Sequence, residues 1–284
     1  MNLVQNNIWI IGCGDIGRRV AKLHQNDKIS GVVHSKASVS SCKKLGINAY
    51  AMNFDQQISL PEKISSHICY FMPPPSTGLE DVRLKNFLDK LGKHPRRIVL
   101  ISTTGVYGDS KGAWIDENIP VNPKAKRAHR RLSAESLLIN WSAQTDGEYM
   151  ILRVPGIYAQ DRLPLARLKK GLAIVKEAEA GWTNRIHADD LAQACKAAMQ
   201  CSCSNEIINI CDGNPSTMTD YFNQIADYAN LPRPPQISMK EAEKTLSAGM
   251  VSYLKESRRI RNDKMLTLLK IKLQYPDLKS SLQS

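Results

Sequence analysis

Apolar and polar segments alternate along the first half of the chain. Segments 15–26 and 37–46 have the helical spacing of apolar residues, and each follows a short apolar run. Strands that alternate with helices in this way predict right-handed crossovers and a parallel, doubly wound sheet. The predicted strands lie at 7–12, 29–34, 47–54, 66–72, 96–103 and 149–158.

The second half of the chain has a less regular pattern. Helical spacing recurs at 162–171, 187–200 and 217–231, and an apolar run at 206–211 predicts a further strand. Adjacent Asp189 and Asp190 are expected to be the N-cap and a first-turn acid of the middle helix. We therefore expect a Rossmann-type α/β domain at 1–155. A smaller C-terminal α/β substrate-binding region is expected at 156–284, interleaved with the sheet.

Composition narrows the class of protein. The 284 residues carry a net charge of +12, and the seven cysteines form no C-x-x-C pair. An odd number of scattered cysteines argues against a disulfide framework and a zinc site, so we expect reduced thiols and no metal. No apolar stretch approaches the roughly 20 residues needed to cross a bilayer, and the start reads as a strand rather than a signal peptide. These features predict a cytoplasmic protein.

A glycine-rich turn joins the first predicted strand to the first predicted helix. Gly12, Gly14 and Gly17 form a G-x-G-x-x-G pattern, which also includes Asp15 and Ile16. In such a motif one glycine allows the tight turn, the next admits a pyrophosphate, and the third lets helix and strand pack closely. The helix N-terminus then presents free N–H groups to the phosphates. The motif predicts a dinucleotide site that includes all five residues.

The residues that follow the second strand bear on the choice of dinucleotide. NAD-selective sites usually place an acid there to hold the ribose 2′-hydroxyl, whereas this chain has His34, Ser35 and Lys36. A hydroxyl and a cation suit a 2′-phosphate, so the sequence favours NADP over NAD. Asp55 could face the adenine, and Pro73 begins a proline run that ends the fourth strand beside the cofactor.

Several motifs in chain order resemble one known family. They are "ISTTGVYGDSKGAWIDE" (101–117), "LRVPGIYAQDR" (152–162), "NRIHADDLA" (184–192), "NICDGNPSTMTDYF" (209–222) and the closing segment 257–282. Together they resemble the extended short-chain dehydrogenase/reductases, the NAD-dependent epimerase/dehydratase group, and within it an atypical bacterial branch often called YeeZ-like. The resemblance implies a Rossmann fold, a bound NAD or NADP, and oxidoreductase or epimerase chemistry.

The chain departs from this family at the catalytic residues. The family uses a Ser/Thr, a Tyr acid/base and a Lys that lowers the pKa of the Tyr, and Thr103 matches the Ser/Thr position. Alignment on Glu135 puts Arg127 at the Tyr position and Arg131 at the Lys position, and no Tyr lies between 108 and 148. Arginine stays protonated near neutral pH, so Arg127 cannot act as a general acid. Arg131 can still contact the cofactor.

Four residues are candidates for the missing acid, and chemistry without a side-chain proton donor, or no chemistry, stays open. These candidates are Tyr107, His129, Tyr158 and His187. Trp114 and Trp182 could line a pocket, although core packing is the commoner role of such residues. The residues expected to contact substrate are Arg127, Tyr158, Arg162 and His187.

Two functions follow from these observations. One is an NAD(P)-dependent oxidoreductase or epimerase that acts on a small, anionic, nucleotide-sugar-like substrate. The other is a non-catalytic dinucleotide-binding sensor or regulatory protein. Nucleic-acid binding by charge ranks below both, because no nucleic-acid recognition motif accompanies the basic composition. The sequence is also compatible with a homodimer.

Overall fold

The computed structural model describes residues 7–56, 58–60, 64–91 and 95–283. The strands in these ranges are β1 (Asn7–Ile11), β2 (Lys28–Val33), β3 (Asn48–Ala51), β4 (His67–Tyr70), β5 (Arg97–Thr103), β6 (Trp114–Ile115), β7 (Glu148–Val154), β8 (Gly156–Tyr158), β9 (Ile174–Val175), β10 (Trp182–Thr183), β11 (Arg185–His187), β12 (Glu206–Asn209), β13 (Ser216–Thr217), β14 (Gln236–Ile237) and β15 (Arg259–Ile260).

Helices connect and cover these strands. They are α1 (Asp15–Lys22), α2 (Lys36–Lys43), α3 (Val82–Leu91), α4 (Lys126–Thr145), α5 (Leu165–Lys169), α6 (Ala188–Gln200), α7 (Met218–Tyr228), α8 (Met239–Thr245), α9 (Ala248–Leu254), α10 (Asp263–Leu268) and α11 (Leu278–Leu282). Short 3₁₀ turns lie at Thr104–Tyr107, Gln160–Arg162 and Glu177–Glu179.

Seven strands form the central sheet in the order β12-β7-β5-β4-β1-β2-β3, and every neighbouring pair is parallel. Strand order reverses at β1, whose neighbours are β2 on one side and β4 on the other. Ligands of open α/β sheets bind outside the carboxyl ends of the strands at such a reversal. The sheet confirms the predicted Rossmann-type fold and places its ligand edge beside the glycine turn.

Strand β1 shows how the sheet is covered on both faces. Successive side chains of a strand point to opposite faces. Ile8 and Ile10 accordingly join a core with residues of α1 and α6, whereas Trp9 and Ile11 join a core with residues of α3 and α4. Each fully buried side chain of this size contributes about 1.5–3 kcal/mol relative to an exposed one. Both layers are therefore fixed by the apolar side chains of β1.

The predicted sixth strand divides at Pro155. Strand β7 ends at Val154, and β8 leaves the sheet to pair with β11. Proline has no N–H to donate to a ladder, so it ends the pairing at this point. The third strand and the first helix are also shorter than predicted, as is the helix expected at 162–171, where Pro164 precedes α5.

Three further observations concern the described part of the chain. All seven cysteines are free thiols, as the sequence predicts. Among the described residues no cluster of three or more His, Cys, Asp or Glu side chains could hold a metal ion. No helix within those ranges has both the length and the apolar character required to cross a bilayer.

Candidate functional site

The three glycines of the turn between β1 and α1 differ in what surrounds them. Gly12 has a φ of +84°, and an added Cβ would lie 2.6 Å from the Met72 backbone nitrogen. A Cβ on Gly17 would lie 2.9 Å from Ile10 Cγ2, whereas one on Gly14 would find only the Gly12 carbonyl oxygen, at 3.9 Å. Gly12 and Gly17 are thus required by the protein's own packing, and Gly14 leaves space for a ligand.

The start of α1 is open to an anion. No side chain caps its first N–H groups, and Gly14 occupies the N-cap. The first N–H groups of a helix have no partner within the helix, and its dipole adds partial positive charge there. Helix α1 includes Asp15 and Ile16 in its first turn. The turn therefore fits the pyrophosphate of a dinucleotide, as the motif predicts.

Asp15 is bound by two arginines at this helix start. The carboxylate accepts a hydrogen bond from Arg19 Nε at 3.0 Å and another from Arg162. Burial acts to raise the pKa of Asp15, but the bonds from Arg162 and Arg19 lower it overall. Arg19 also pairs with Asp161 and Asp189, at 2.6 and 2.7 Å. Arg162, expected to contact substrate, therefore lies at the glycine turn.

The residues after β2 and β3 surround the expected position of the adenosine. Ser35 caps α2, because its Oγ accepts a hydrogen bond from the Ser38 backbone N–H at 3.2 Å. His34 and Lys36 are exposed beside it. The carboxylate of Asp55 accepts two bonds of 2.6 Å from Arg83, which also donates to the Pro73 carbonyl at 3.0 Å. Asp55 is thus held by Arg83 rather than free.

A cleft of about 540 Å³ opens beyond the carboxyl ends of β5 and β7. Thr103 lies at its floor, half-buried, and Thr103 Oγ1 accepts a hydrogen bond from the Gly105 N–H at 3.2 Å. The hydroxyl proton of Thr103 remains able to donate to a ligand. The cleft is lined by Pro73–Ser76, Arg83, Ile101–Thr103, Gly105, Arg127, Ala128, Arg130, Arg131, Val154, Pro155, Ile157 and Glu256.

Arg127 and Arg131 lie one helical turn apart on α4, and both line the cleft. Arg131 Nη1 donates to the carbonyls of Ile101 at 3.0 Å and Met72 at 3.4 Å, and burial lowers the pKa of its guanidinium. Arg127 is exposed and has no hydrogen-bond or ion-pair partner within the described ranges. Arg131 therefore fastens strand ends together, and Arg127 is free to bind an anion.

A smaller cavity of about 150 Å³ adjoins the cleft and shares Thr103, Gly105, Arg127, Pro155 and Glu256 with it. Its outer wall comes from the C-terminal part of the chain. Trp182 lines it, as the sequence analysis allowed, whereas Trp114 is an exposed residue outside its lining. Tyr253 and Glu256 also line it, and neither belongs to a motif of the sequence; Arg258 lines it too and lies in the closing segment 257–282. Tyr253 and Glu256 lie more than 120 residues from Arg127, so only the fold brings them here.

Tyr107, a predicted catalytic residue, lies beneath this region. Its hydroxyl donates to Asn209 Oδ1 at 2.8 Å, and the Arg153 guanidinium lies 4.8 Å from the ring centroid. Burial raises the pKa of Tyr107, and its side chain lines neither cavity. The structure thus gives Tyr107 partners within the protein core.

Tyr158 and His187 pack against each other, away from both cavities. Their ring centroids are 5.3 Å apart, and His187 also lies 3.8 Å from the ring of Tyr275. Both side chains are buried, and burial lowers the pKa of His187. The structure does not bring these two predicted substrate contacts to the cleft.

The N-cap of α6 is His187, not one of the neighbouring aspartates as predicted. His187 Nδ1 accepts a hydrogen bond from the Asp189 N–H at 3.2 Å. Asp190 is buried and accepts bonds from the backbone N–H groups of Gln274 and Tyr275, at 2.8 and 2.9 Å. The N-cap lies two residues before Asp189, because the imidazole of His187 occupies the cap and Asp190 anchors a distant segment.

Comparison with known proteins supports this architecture. Protein YeeZ of Escherichia coli K12 is 30% identical over 182 residues, which cover 64% of this chain and 59% of YeeZ. A conserved protein of unknown function from Silicibacter pomeroyi has a solved structure that is 27% identical, with a TM-score of 0.86 over 98% of this chain and 97% of that one.

A third similar structure is the UDP-glucuronic acid 4-epimerase of Bacillus cereus in complex with NAD. It is 16% identical, with a TM-score of 0.75 over 98% of this chain and 96% of that one, and so shares the fold. The model of the NAD dependent epimerase/dehydratase family matches residues 16–211. This chain belongs to the NAD dependent epimerase/dehydratase family.

Proposed function

We propose that this protein is an NAD(P)(H)-dependent oxidoreductase or epimerase that acts on a small anionic substrate resembling a nucleotide sugar. The observation that carries the proposal is the open cleft at the carboxyl ends of the strands, whose lining includes Pro73, Thr103 and Arg127. Membership of the family and the space at Gly14 support dinucleotide binding.

The cofactor supplies a hydride acceptor or donor when it is bound. We assign its pyrophosphate to Gly12–Gly17 and its nicotinamide half to the cleft beside Arg131. Exposed His34, Ser35 and Lys36 support a preference for NADP, because their hydroxyl and cation can bind a 2′-phosphate and none of the three is the acid that NAD-selective sites usually carry there. The B. cereus epimerase binds NAD, so the two dinucleotides must be compared directly.

The residues of this chain bind and orient the substrate in the proposed reaction. Arg127 binds the anionic group, since a guanidinium presents paired donors to a phosphate or carboxylate. Thr103 donates a hydrogen bond to the substrate oxygen that gains or loses a proton. Arg131 holds the ends of β4 and β5 in register and so fixes the floor of the cleft. Tyr107, Tyr158 and His187 support these elements through packing.

A non-catalytic dinucleotide sensor is the second candidate. The observation that favours it is the position of Arg127, where the family carries its tyrosine acid. Such a sensor would bind the cofactor with an affinity similar to that of an enzyme, but it would not transfer hydride. Binding and turnover must therefore be measured separately.

Calorimetric titration with NAD⁺, NADH, NADP⁺ and NADPH tests the proposal. We expect binding, with the phosphorylated forms tighter, and we expect Gly14→Ala to weaken it by about tenfold or more, equal to about 1.4 kcal/mol. Gly249→Ala is the matched control, because an added Cβ there also meets open space but lies away from the turn. Absence of binding by all four dinucleotides would overturn both candidate functions.

Three further features complete the proposal. The free thiols support a cytoplasmic location. We assign residues 1–155 to cofactor binding and residues 156–284 to substrate binding, because the wall of the smaller cavity comes largely from the second segment. A homodimer is proposed as the assembly, and light scattering after size-exclusion chromatography should give twice the mass of 31.7 kDa.

A further inference from the structure

Most polar groups that line the smaller cavity are already committed to other protein atoms. Thr183 Oγ1 donates to the Ser216 carbonyl at 2.7 Å. Asn184 donates to the Arg258 carbonyl and accepts from the Ile260 N–H, at 3.0 and 2.9 Å. Arg258 Nη1 donates to the Gly108 carbonyl at 2.5 Å and to Glu256 Oε2 at 2.8 Å. These residues build the wall and have little capacity left for a ligand.

Glu256 is the exception among the buried groups of this wall. It is 7% exposed, and its second oxygen, Oε1, is buried without a hydrogen-bond partner in the described part of the chain. A buried carboxylate oxygen that lacks a donor costs about 1–3 kcal/mol or more. Native proteins rarely leave such a group unpaired, so a donor that comes from outside the protein is the physical explanation we favour.

The position of Glu256 identifies that donor. Glu256 lines both the cleft and the smaller cavity, and in each it shares the lining with Thr103 and Arg127; it also borders a further groove, which Lys124 and Lys255 line. A cavity of about 150 Å³ holds a group the size of a benzene ring, so it can admit part of a sugar ring whose remainder lies in the adjoining cleft. A sugar hydroxyl beside Thr103 would supply the missing donor.

We propose that Glu256 is the proton acceptor of the reaction and takes the place of the tyrosine that is absent from α4. The inference rests on the proposed function. The hydroxyl proton of the substrate passes to Glu256 Oε1, the adjacent C–H bond breaks with its electron pair transferred as hydride to oxidised NAD(P)⁺, and a carbonyl forms. In the reverse direction Glu256 returns the proton.

Tyr253 is the competing candidate for this role. It is half-buried, lines the smaller cavity, and its carbonyl accepts a bond from the Glu256 N–H at 3.3 Å. Glu256 is preferred because its unpartnered oxygen is buried and its other oxygen is fixed by Arg258, so the carboxylate has one orientation. Arg127 in the shared lining and Arg258, which is bonded to Glu256, are the nearby charged groups on the cavity side, and Asp109, Lys124, Glu243 and Lys255 line the further groove that Glu256 borders.

The test compares Glu256→Gln with the parent protein, with Tyr253→Phe for the competing group and Glu243→Gln as the matched control. Glu243 carries an exposed carboxylate on α8 and pairs with Lys255 at 2.7 Å. The probes are UDP-glucose and UDP-glucuronic acid, each mixed with protein that has been loaded with NAD⁺ or NADP⁺. Probe affinity is measured by calorimetry, and cofactor reduction by single-turnover absorbance at 340 nm.

We expect Glu256→Gln to keep probe affinity within about threefold and to slow cofactor reduction by about 10²–10⁴-fold, the usual contribution of a general base. Glu243→Gln should reduce the cofactor at nearly the parental rate, and Tyr253→Phe should lose far less of that rate than Glu256→Gln. The inference is overturned if Glu256→Gln keeps the parental rate, if Tyr253→Phe alone abolishes reduction, or if the parent binds cofactor but oxidises neither probe. Failure to bind any dinucleotide would instead overturn the proposed function itself.

Discussion

Two buried glutamate–arginine pairs lie close to the candidate site and differ in one respect. Glu135 has both carboxylate oxygens occupied, by Ser102 and Arg153, with bonds of 2.5, 3.1 and 2.7 Å. Glu256 has one oxygen occupied by Arg258 and the other without a partner in the described ranges. The first pair lies in the core between α4 and β7, whereas the second borders both cavities.

This difference leads us to expect a structural role for the Glu135–Arg153 pair and a functional role for the Glu256–Arg258 pair. A buried ion pair is tolerated when every oxygen and N–H is satisfied, and its net contribution to stability is small. A pair that leaves one oxygen unpaired at a cavity wall has the same desolvation cost but an incomplete set of bonds. Mutation of the complete pair should therefore lower the free energy of unfolding, whereas mutation of the incomplete pair should change the reaction or the binding of substrate.

The largest expected effect comes from breaking the complete pair. Arg153→Met would leave Glu135 buried with Ser102 as its remaining partner, so we expect the free energy of unfolding to fall by about 3–5 kcal/mol. Chemical denaturation measures this change. The double variant Arg153→Met/Glu135→Leu should recover most of the loss, and failure to recover would contradict the assignment of the cost to an uncompensated charge.

The next effect concerns the free cation of the cleft. Arg127→Gln should raise the Kd of UDP-glucuronic acid by about tenfold to a hundredfold, the equivalent of about 1.5–3 kcal/mol for charged hydrogen bonds. Calorimetry at fixed ionic strength measures the change. Lys126→Gln removes the same charge from an exposed neighbour on α4, and an equal loss in both variants would show that net charge alone is responsible.

Asp212 is a third buried carboxylate, and it tests how burial changes the pKa of such a group. Burial raises the pKa of Asp212 to about 7, although the Asn214 N–H donates to it at 3.0 Å. The unfolded pKa is about 3.9, so the folded state binds the proton more tightly. Its stabilising contribution is complete below the unfolded pKa and is lost as pH rises towards the folded pKa.

Asp212→Asn removes this titration. Relative to the parent, the variant should therefore gain unfolding free energy between about pH 4 and 7, by at most about 1.4 kcal/mol per pH unit. Urea denaturation of both proteins from pH 4.5 to 8 measures the difference. A difference that is independent of pH would contradict the raised pKa.

The smallest effect is expected at an exposed pair. Lys85 and Asp89 are 2.8 Å apart on the surface of α3, where water screens both charges. Lys85→Met should leave the midpoint of denaturation within experimental error of the parent. A clear loss there would mean that ion pairs in this protein contribute regardless of burial, which would remove the basis of the comparison.

The sequence predicted the features that depend on local pattern. The continuous apolar run of β1, which is buried on both faces, and the tight packing at Gly12 and Gly17 follow from short-range interactions, so the sheet and the glycine turn could be predicted from a few residues. The motif order also predicted the family, which the match over 16–211 confirms.

The wall of the smaller cavity could not be predicted in this way. Tyr253 and Glu256 reach Thr103 because β15 pairs with β6, a contact between segments more than 140 residues apart. The positions of Tyr158 and His187 depended on packing in the same way, since their rings pack against each other, and His187 against Tyr275, outside the lining of both cavities. The N-cap of α6 is His187 because its Nδ1 accepts a hydrogen bond from the Asp189 N–H, and the spacing of residues in the sequence does not predict this bond.

The pairing of β15 with β6 has a consequence for how this protein can diversify. Arg259 and Ile260 lie beside Trp114 and Ile115, so a short segment near the end of the chain delivers Glu256 to a floor built by the first 160 residues. Wall and floor thus come from separate segments of the chain. We expect substitutions in 250–258 to change the wall of the smaller cavity while the glycine turn, the sheet and the buried Glu135–Arg153 pair stay unchanged.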